Sequence, residues 1–188
     1  MACGSPDKAL GGRCLAMRSV KALSSSFIAL SFCGASSSTA QAPSSVQGTS
    51  IEISSAETRT SNPGAPANFT GTAQVEQLFS AHGASRLTGG VVTFQPGARS
   101  AWHTHPLGQI LIITAGTGLV QQWGGPICIM KTGDVVWIPA GAKHWHGASS
   151  SSFVTQMALQ ELLDGKNVDW LEPVSDQQYS AGVPNVSR

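Results

Sequence analysis

From about residue 71 the chain alternates short apolar runs with glycine-bearing breaks, a pattern that predicts strands joined by tight turns. The runs fall at Gly90–Phe94, Ala101–His105, Gln109–Thr114, Gly118–Trp123, Pro126–Met130, Asp134–Ile138, Lys143–Gly147 and Phe153–Gln160. Together they predict an all-β domain whose strands nearly close a small barrel. Between them Ala115-Gly116-Thr117, Trp123-Gly124-Gly125-Pro126, Lys131-Thr132-Gly133 and Pro139-Ala140-Gly141 supply the positive-φ and fixed-φ positions that hairpins need. Upstream, residues 43–70 are rich in Ser, Thr, Pro, Gly and Ala and read as an extended arm with one short strand at Ile51–Ser54. Downstream, Glu161–Arg188 reads as a short helical or irregular cover over one sheet.

The first 42 residues differ. Lys8, Arg13, Arg18 and Lys21 stand against Asp7 alone, an apolar stretch peaks between Phe27 and Cys33, and Ser38-Thr39-Ala40 or Ala40-Gln41-Ala42 offers a small-x-small cleavage site. That order is the layout of a secretory signal and predicts export to the periplasm or medium. The competing reading is a disordered Ser/Ala-rich leader on a cytoplasmic protein. The chain has 11 basic and 10 acidic side chains, and removal of the leader leaves 7 and 9. Neither balance supplies the run of Lys and Arg that tracks phosphates, so a nucleic-acid partner is not expected. No apolar run approaches the ~18 residues of a membrane span. With 188 residues, one core of ordinary proportions is expected over residues 71–188, acting on a small molecule.

Four of the five histidines occur as two pairs, His103-Thr104-His105 and His144-Trp145-His146. Residues two apart on a strand face the same side, so His103 and His105 present both imidazoles to one point. Gln109 shares their parity if Pro106–Gly108 preserves the register. An antiparallel neighbour carrying His144 then brings a third nitrogen. Three imidazoles and one oxygen donor make a catalytic metal site with positions left open. His82 stands alone and reads as a bystander, Lys143 as solvated, Arg99 as a surface residue, and Trp102, Trp137 and Trp145 as packing residues.

The spacing around these pairs is specific. Gly97-Ala-Arg-Ser-Ala-Trp-His103-Thr-His105-Pro-Leu-Gly-Gln109, followed by Gly116, resembles the first half of the cupin signature. Gly133-Asp-Val-Val-Trp-Ile-Pro139-Ala-Gly141-Ala-Lys-His144 resembles the second. The resemblance implies a conical β-barrel, the double-stranded β-helix or jelly roll, holding one divalent metal in a core spanning residues 90–160. Two positions depart from the pattern: Gln109 replaces the usual glutamate, and Ala148 replaces an asparagine. An amide keeps the oxygen donor but removes a negative charge, which makes the cation a stronger Lewis acid and tilts the site away from oxygen activation.

Ala101-Trp-His-Thr-His-Pro-Leu-Gly-Gln109, Lys143-His-Trp-His-Gly-Ala148 and Gln160-Glu-Leu-Leu-Asp-Gly-Lys166 are similar to the bacterial cupin hydroxynitrile lyases, over roughly Phe69 to Tyr179. These manganese-dependent enzymes make and break (R)-mandelonitrile. The likeness implies His103, His105, Gln109 and His144 as metal ligands and His146 as the general acid/base. Manganese is the expected metal; the same donors also accept iron, zinc or nickel. Gly90, Val92 and Gln160 are expected to line the substrate pocket, together with Gln156, which stands where such a lyase carries a histidine. Competing readings are another cupin reaction, such as decarboxylation, isomerisation or oxygenation, or a non-enzymatic metal- or ligand-binding module. A homo-oligomer, dimer or tetramer, is expected through the arm or an open sheet edge.

Overall fold

The computed structural model describes residues 50–181. The leader at residues 1–42 and the start of the arm lie outside the described residues. Twelve strands follow in chain order: β1 Ser61–Pro63, β2 Phe69–Thr70, β3 Ala73–Phe79, β4 Leu87–Phe94, β5 Arg99–Ser100, β6 His103–Thr104, β7 Gln109–Gln122, β8 Ile127–Lys131, β9 Val135–Ile138, β10 His144–Ala148, β11 Val154–Glu161 and β12 Asp169–Trp170. Among the described residues one α-helix, α1, spans Asp176–Ser180, and a 3-10 turn spans Ala56–Thr58. All strand pairs are antiparallel, in the order β1-β3-β4-β11-β7-β10-β5-β2, and the sheet curls on itself as the expected all-β barrel does.

The long strand β7 makes this curl. Its first half pairs with β11 and β9, its second with β10 and β8. The sequence predicts two strands here, broken by a turn at Ala115-Gly116-Thr117. The structure instead shows one bent strand with a register shift opposite Thr155 and Gln156. Gly116 has φ +79°, and a Cβ there would stand 2.0 Å from the Phe153 carbonyl oxygen. Glycine thus bends the strand from one sheet into the other without reversing it.

Four further expectations are corrected. Ile51–Ser54 forms no strand; both isoleucines are exposed and pair with no strand of the described residues, and the arm instead forms β1 and β2. β3 lay outside the predicted set, although it carries Ala73 and Val75 with alternating parity. Trp137 is 62% exposed, because β9 pairs on one side only and turns this residue outward. Arg99 is buried: its guanidinium donates to the Val174 carbonyl (2.9 and 3.2 Å) and to Asp176 Oδ1 (2.6 Å), and lies 4.8 Å from the Tyr179 ring centre.

Two apolar cores result. Phe94, Leu111, Ile113, Met130 and Val154 fill the barrel beneath the site. Trp102, Leu119, Ile127, Trp145, Val174 and Tyr179 pack under the C-terminal cover. That cover is held by the Arg99 contacts, by the Tyr179 hydroxyl donating to the Ala148 carbonyl (2.9 Å), and by a capping box in which Ser175 and Gln178 satisfy each other's backbone N–H groups.

Candidate metal centre and cavity

Strands β6 and β10 bring the two histidine pairs together, with His103 directly opposite His144. Alternation along β10 sends His144 and His146 to the barrel interior and Trp145 between them to the second core. The ring centres of His103 and His144 lie 4.1 Å apart, and His105 lies 5.1 and 5.5 Å from them. His146 is 5.2 Å from His103. The candidate ligand atoms of His103, His144 and His146 fall within 4.8 Å of one another. All four rings and Gln109, at the start of β7, are buried.

The hydrogen bonds set the tautomers. His103 Nδ1 meets the Ala101 carbonyl at 2.9 Å, His105 Nδ1 that of Asn167 at 2.5 Å, and His144 Nδ1 that of Ala142 at 2.9 Å. A carbonyl only accepts, so each Nδ1 carries the hydrogen and each Nε2 keeps its lone pair. Gln109 Nε2 donates to Gln160 Oε1 at 3.3 Å, which turns Gln109 Oε1 inward, 3.3 Å from His144 Nε2. Two acceptors therefore face each other, and His105 Nε2 is buried with no partner among the described residues. A convergent set of lone pairs in a dry interior fits a cation of intermediate softness.

His146 is held differently. Its Nδ1 lies 2.6 Å from Gln156 Nε2, and among the described residues its own Nε2 and Gln156 Oε1 have no partner. Either end of an amide can meet Nδ1, so this contact admits both neutral tautomers. Burial drives the pKa of all four histidines down, to about 4 for His144, and proximity of the other rings adds to this for His103, His144 and His146. Near pH 7 the cluster is neutral, the state that ligation and proton acceptance both require.

Above the cluster lies a cavity of about 150 Å³. Its walls are Phe69, Val75, Val92, Ala158, Val168 and Trp170, and His103, His105, Gln109 and His146 form its polar end. Gly90 and Gln160 also line it, whereas Gln156 sits behind His146 and away from the lining. Phe69, Val75, Val168 and Trp170 were not expected from the sequence. Alternation in Ala73–Phe79 was a usable signal for Val75. So was Asp164-Gly165, whose φ values of +51° and +80° form the tight turn that returns the chain toward β12. His82 lies at the surface, 3.9 Å from Glu52. Lys143 packs its ammonium 3.6 Å from the Trp123 ring centre.

Residues 90–157 match the sequence profile of the cupin domain. The chain is 50% identical over 129 residues to the (R)-mandelonitrile lyase of Granulicella tundricola, covering 69% of this chain and 98% of that enzyme. Among solved structures, a cupin-like protein from Thermotoga maritima superposes with a TM-score of 0.60 at 38% identity, over 62% of this chain and 89% of that one. A polyketide cyclase from Streptomyces resistomycificus shares the fold at 14% identity, with a TM-score of 0.51 over 69% and 91% of the two chains.

Proposed function

This chain belongs to the cupin family, and on that premise we propose that it is a metal-dependent hydroxynitrile lyase acting on aromatic cyanohydrins such as (R)-mandelonitrile. The observation that carries the reading is an apolar cavity of about 150 Å³ ending on the unpartnered Nε2 of His146 beside the convergent lone pairs. An apolar cavity of ~150 Å³ accommodates one benzene ring. The 50% identity to a mandelonitrile lyase supports the same substrate class.

His103, His105, His144 and Gln109 would hold one divalent cation, with manganese as our assignment. A cation there supplies Lewis acidity undiminished by an anionic ligand. The three histidines are assigned as ligands because backbone carbonyls lock each with its lone pair inward. His146, lacking that lock, is assigned the proton. The substrate ring packs among Phe69, Val92 and Trp170, placing the carbinol at the polar end. With the Gln156 amide turned so that its oxygen, in place of the Nε2 that lies 2.6 Å from the ring, accepts a hydrogen on Nδ1, His146 takes the hydroxyl proton on Nε2. The carbon–carbon bond to cyanide breaks as the aldehyde C=O forms. The imidazolium then returns its proton to cyanide, releasing hydrogen cyanide and restoring neutral His146.

Export and self-association are part of the same proposal. The leader supports the first, and exposed Val135 and Trp137 on the β9 edge support the second. N-terminal sequencing of the mature protein and light scattering read them out.

The deciding experiment measures bound metal and assays mandelonitrile formation from benzaldehyde and cyanide. Expected is metal-dependent, stereoselective turnover, abolished in His103→Ala together with the metal. A metal-loaded protein giving only background racemic cyanohydrin would sink the substrate assignment.

A further inference from the structure

At the open end of the barrel, outside the ligand set, a chain of hydrogen bonds has only one possible direction. The Thr88 hydroxyl donates to the Gln160 backbone carbonyl at 2.8 Å. A hydroxyl has one hydrogen, so toward its other neighbours it only accepts. Those neighbours are two amide nitrogens, Gln160 Nε2 at 3.1 Å and Asn167 Nδ2 at 3.1 Å. With its nitrogen committed to Thr88, the Gln160 amide must present Oε1 to Gln109, where it accepts from Nε2 at 3.3 Å. Gln109 Oε1 is left to face the centre, beside His144 Nε2. The second arm runs through Asn167. The same hydroxyl tethers its side chain, while its backbone carbonyl takes the hydrogen of His105 Nδ1 at 2.5 Å.

We propose that Thr88 is a positioning residue. Through Gln160 and Asn167 it aims the lone pairs of Gln109 Oε1 and His105 Nε2 inward, and so sets the affinity of the centre for a divalent cation. The inference rests on the metal centre proposed above, not on the reaction assigned to it. An amide is nearly symmetric in shape, so packing alone does not decide whether Gln109 offers its oxygen or its NH₂. Only the hydrogen-bond inventory does, and Thr88 is where that inventory is fixed. Gln160 then acts less as a substrate contact than as the link between Thr88 and a ligand. Groups that orient ligands in this way typically change affinity 10–100-fold when removed.

The test uses the full chain, stripped with chelator and titrated with Mn²⁺ and with Zn²⁺ by calorimetry. Thr88→Val keeps the shape and removes the hydroxyl; Thr88→Ser keeps the hydroxyl. The expected result is a roughly 10–100-fold weaker Kd in Thr88→Val, near-parental affinity in Thr88→Ser, and an apo melting temperature close to the parent's in both. Gln160→Met, which cuts one arm a residue further on and leaves the Asn167 arm intact, is expected to weaken binding by no more than Thr88→Val does. The double variant is expected to be little weaker than Thr88→Val alone, since that change already cuts the line through Gln160. A Thr88→Val Kd within about twofold of the parent's, or a Thr88→Ser Kd as weak as that of Thr88→Val, would overturn the proposal. A parent that binds cations tightly but forms no cyanohydrin sinks the lyase reading alone; a parent that binds neither cation overturns both.

Discussion

At the residue scale, the question is what separates His146 from its three neighbours, since all four are buried and neutral. The difference is the partner of Nδ1: three backbone carbonyls in one case, the Gln156 amide in the other. Gln156→Leu removes that partner while keeping an apolar side chain of similar bulk. It is expected to lower kcat roughly tenfold with metal content unchanged, against a loss of about 10²–10⁴-fold in His146→Ala. If Gln156→Leu or His146→Ala instead empties the site, measured as manganese per chain, His146 belongs with His103 and His144 as a ligand, a set their geometry also permits. Both histidine pairs were legible in the sequence because their meaning is local: a spacing of two on a strand puts two rings on one face. Thr88 and Asn167 were not, because a hydroxyl and an amide gain their role only when a strand and a loop residue 79 positions apart are brought side by side.

At the element scale, the bend in β7 carries the architecture, because it passes one strand from sheet to sheet and so sets His144 and Gln109 on adjoining walls. Gly116 and Gly124 have nearly equal φ values, +79° and +76°, but a Cβ would collide with the Phe153 carbonyl at the first and meet nothing within 4 Å at the second. Gly124→Ala is therefore expected to cost about 1 kcal/mol, the conformational term alone. Gly116→Ala is expected to cost about 3 kcal/mol or more, a fall in Tm of roughly 10 °C, because the β11 backbone must also move. Equal melting curves for the two variants would show that the close approach at Gly116 does not matter. Most strands of the barrel were legible from apolar runs and turn residues. The continuity of β7 was not, since Ala115-Gly116-Thr117 satisfies a hairpin turn and a bulged bend equally well. Likewise Arg99 shows no sign of burial in its own sequence; the partners that make burial tolerable, Val174, Asp176 and Tyr179, arrive with the cover about 75 residues later.

At the scale of the whole molecule, the four histidines tie stability to pH and to the cation. Unfolded, each titrates near about 6.5; folded, burial holds each lower, His144 at about 4. Between those values the unfolded chain binds more protons, so stability is fully present above about pH 6.5 and falls as pH drops toward 4. For His144 alone the loss is on the order of 3 kcal/mol once the pH is below its folded value. The cation of the proposed centre would bind only the folded chain with neutral imidazoles, so at 100 times its Kd it would add about 2.7 kcal/mol at neutral pH, and acidification would remove that increment over the same window. The apo protein should therefore melt at a nearly constant temperature above pH 7 and progressively lower from 6.5 to 5, before most carboxylates titrate. Added Mn²⁺ should raise the melting temperature at pH 7.5 and do little at pH 5. Replacing one buried ring, as in His103→Asn, should flatten the acid slope while abolishing the manganese increment, which no loss of surface charge would do together. An apo melting temperature that stays level down to pH 5 would mean that the rings ionise as readily inside the barrel as in water, and the cluster could not then be the neutral lone-pair set on which both ligation and proton transfer depend.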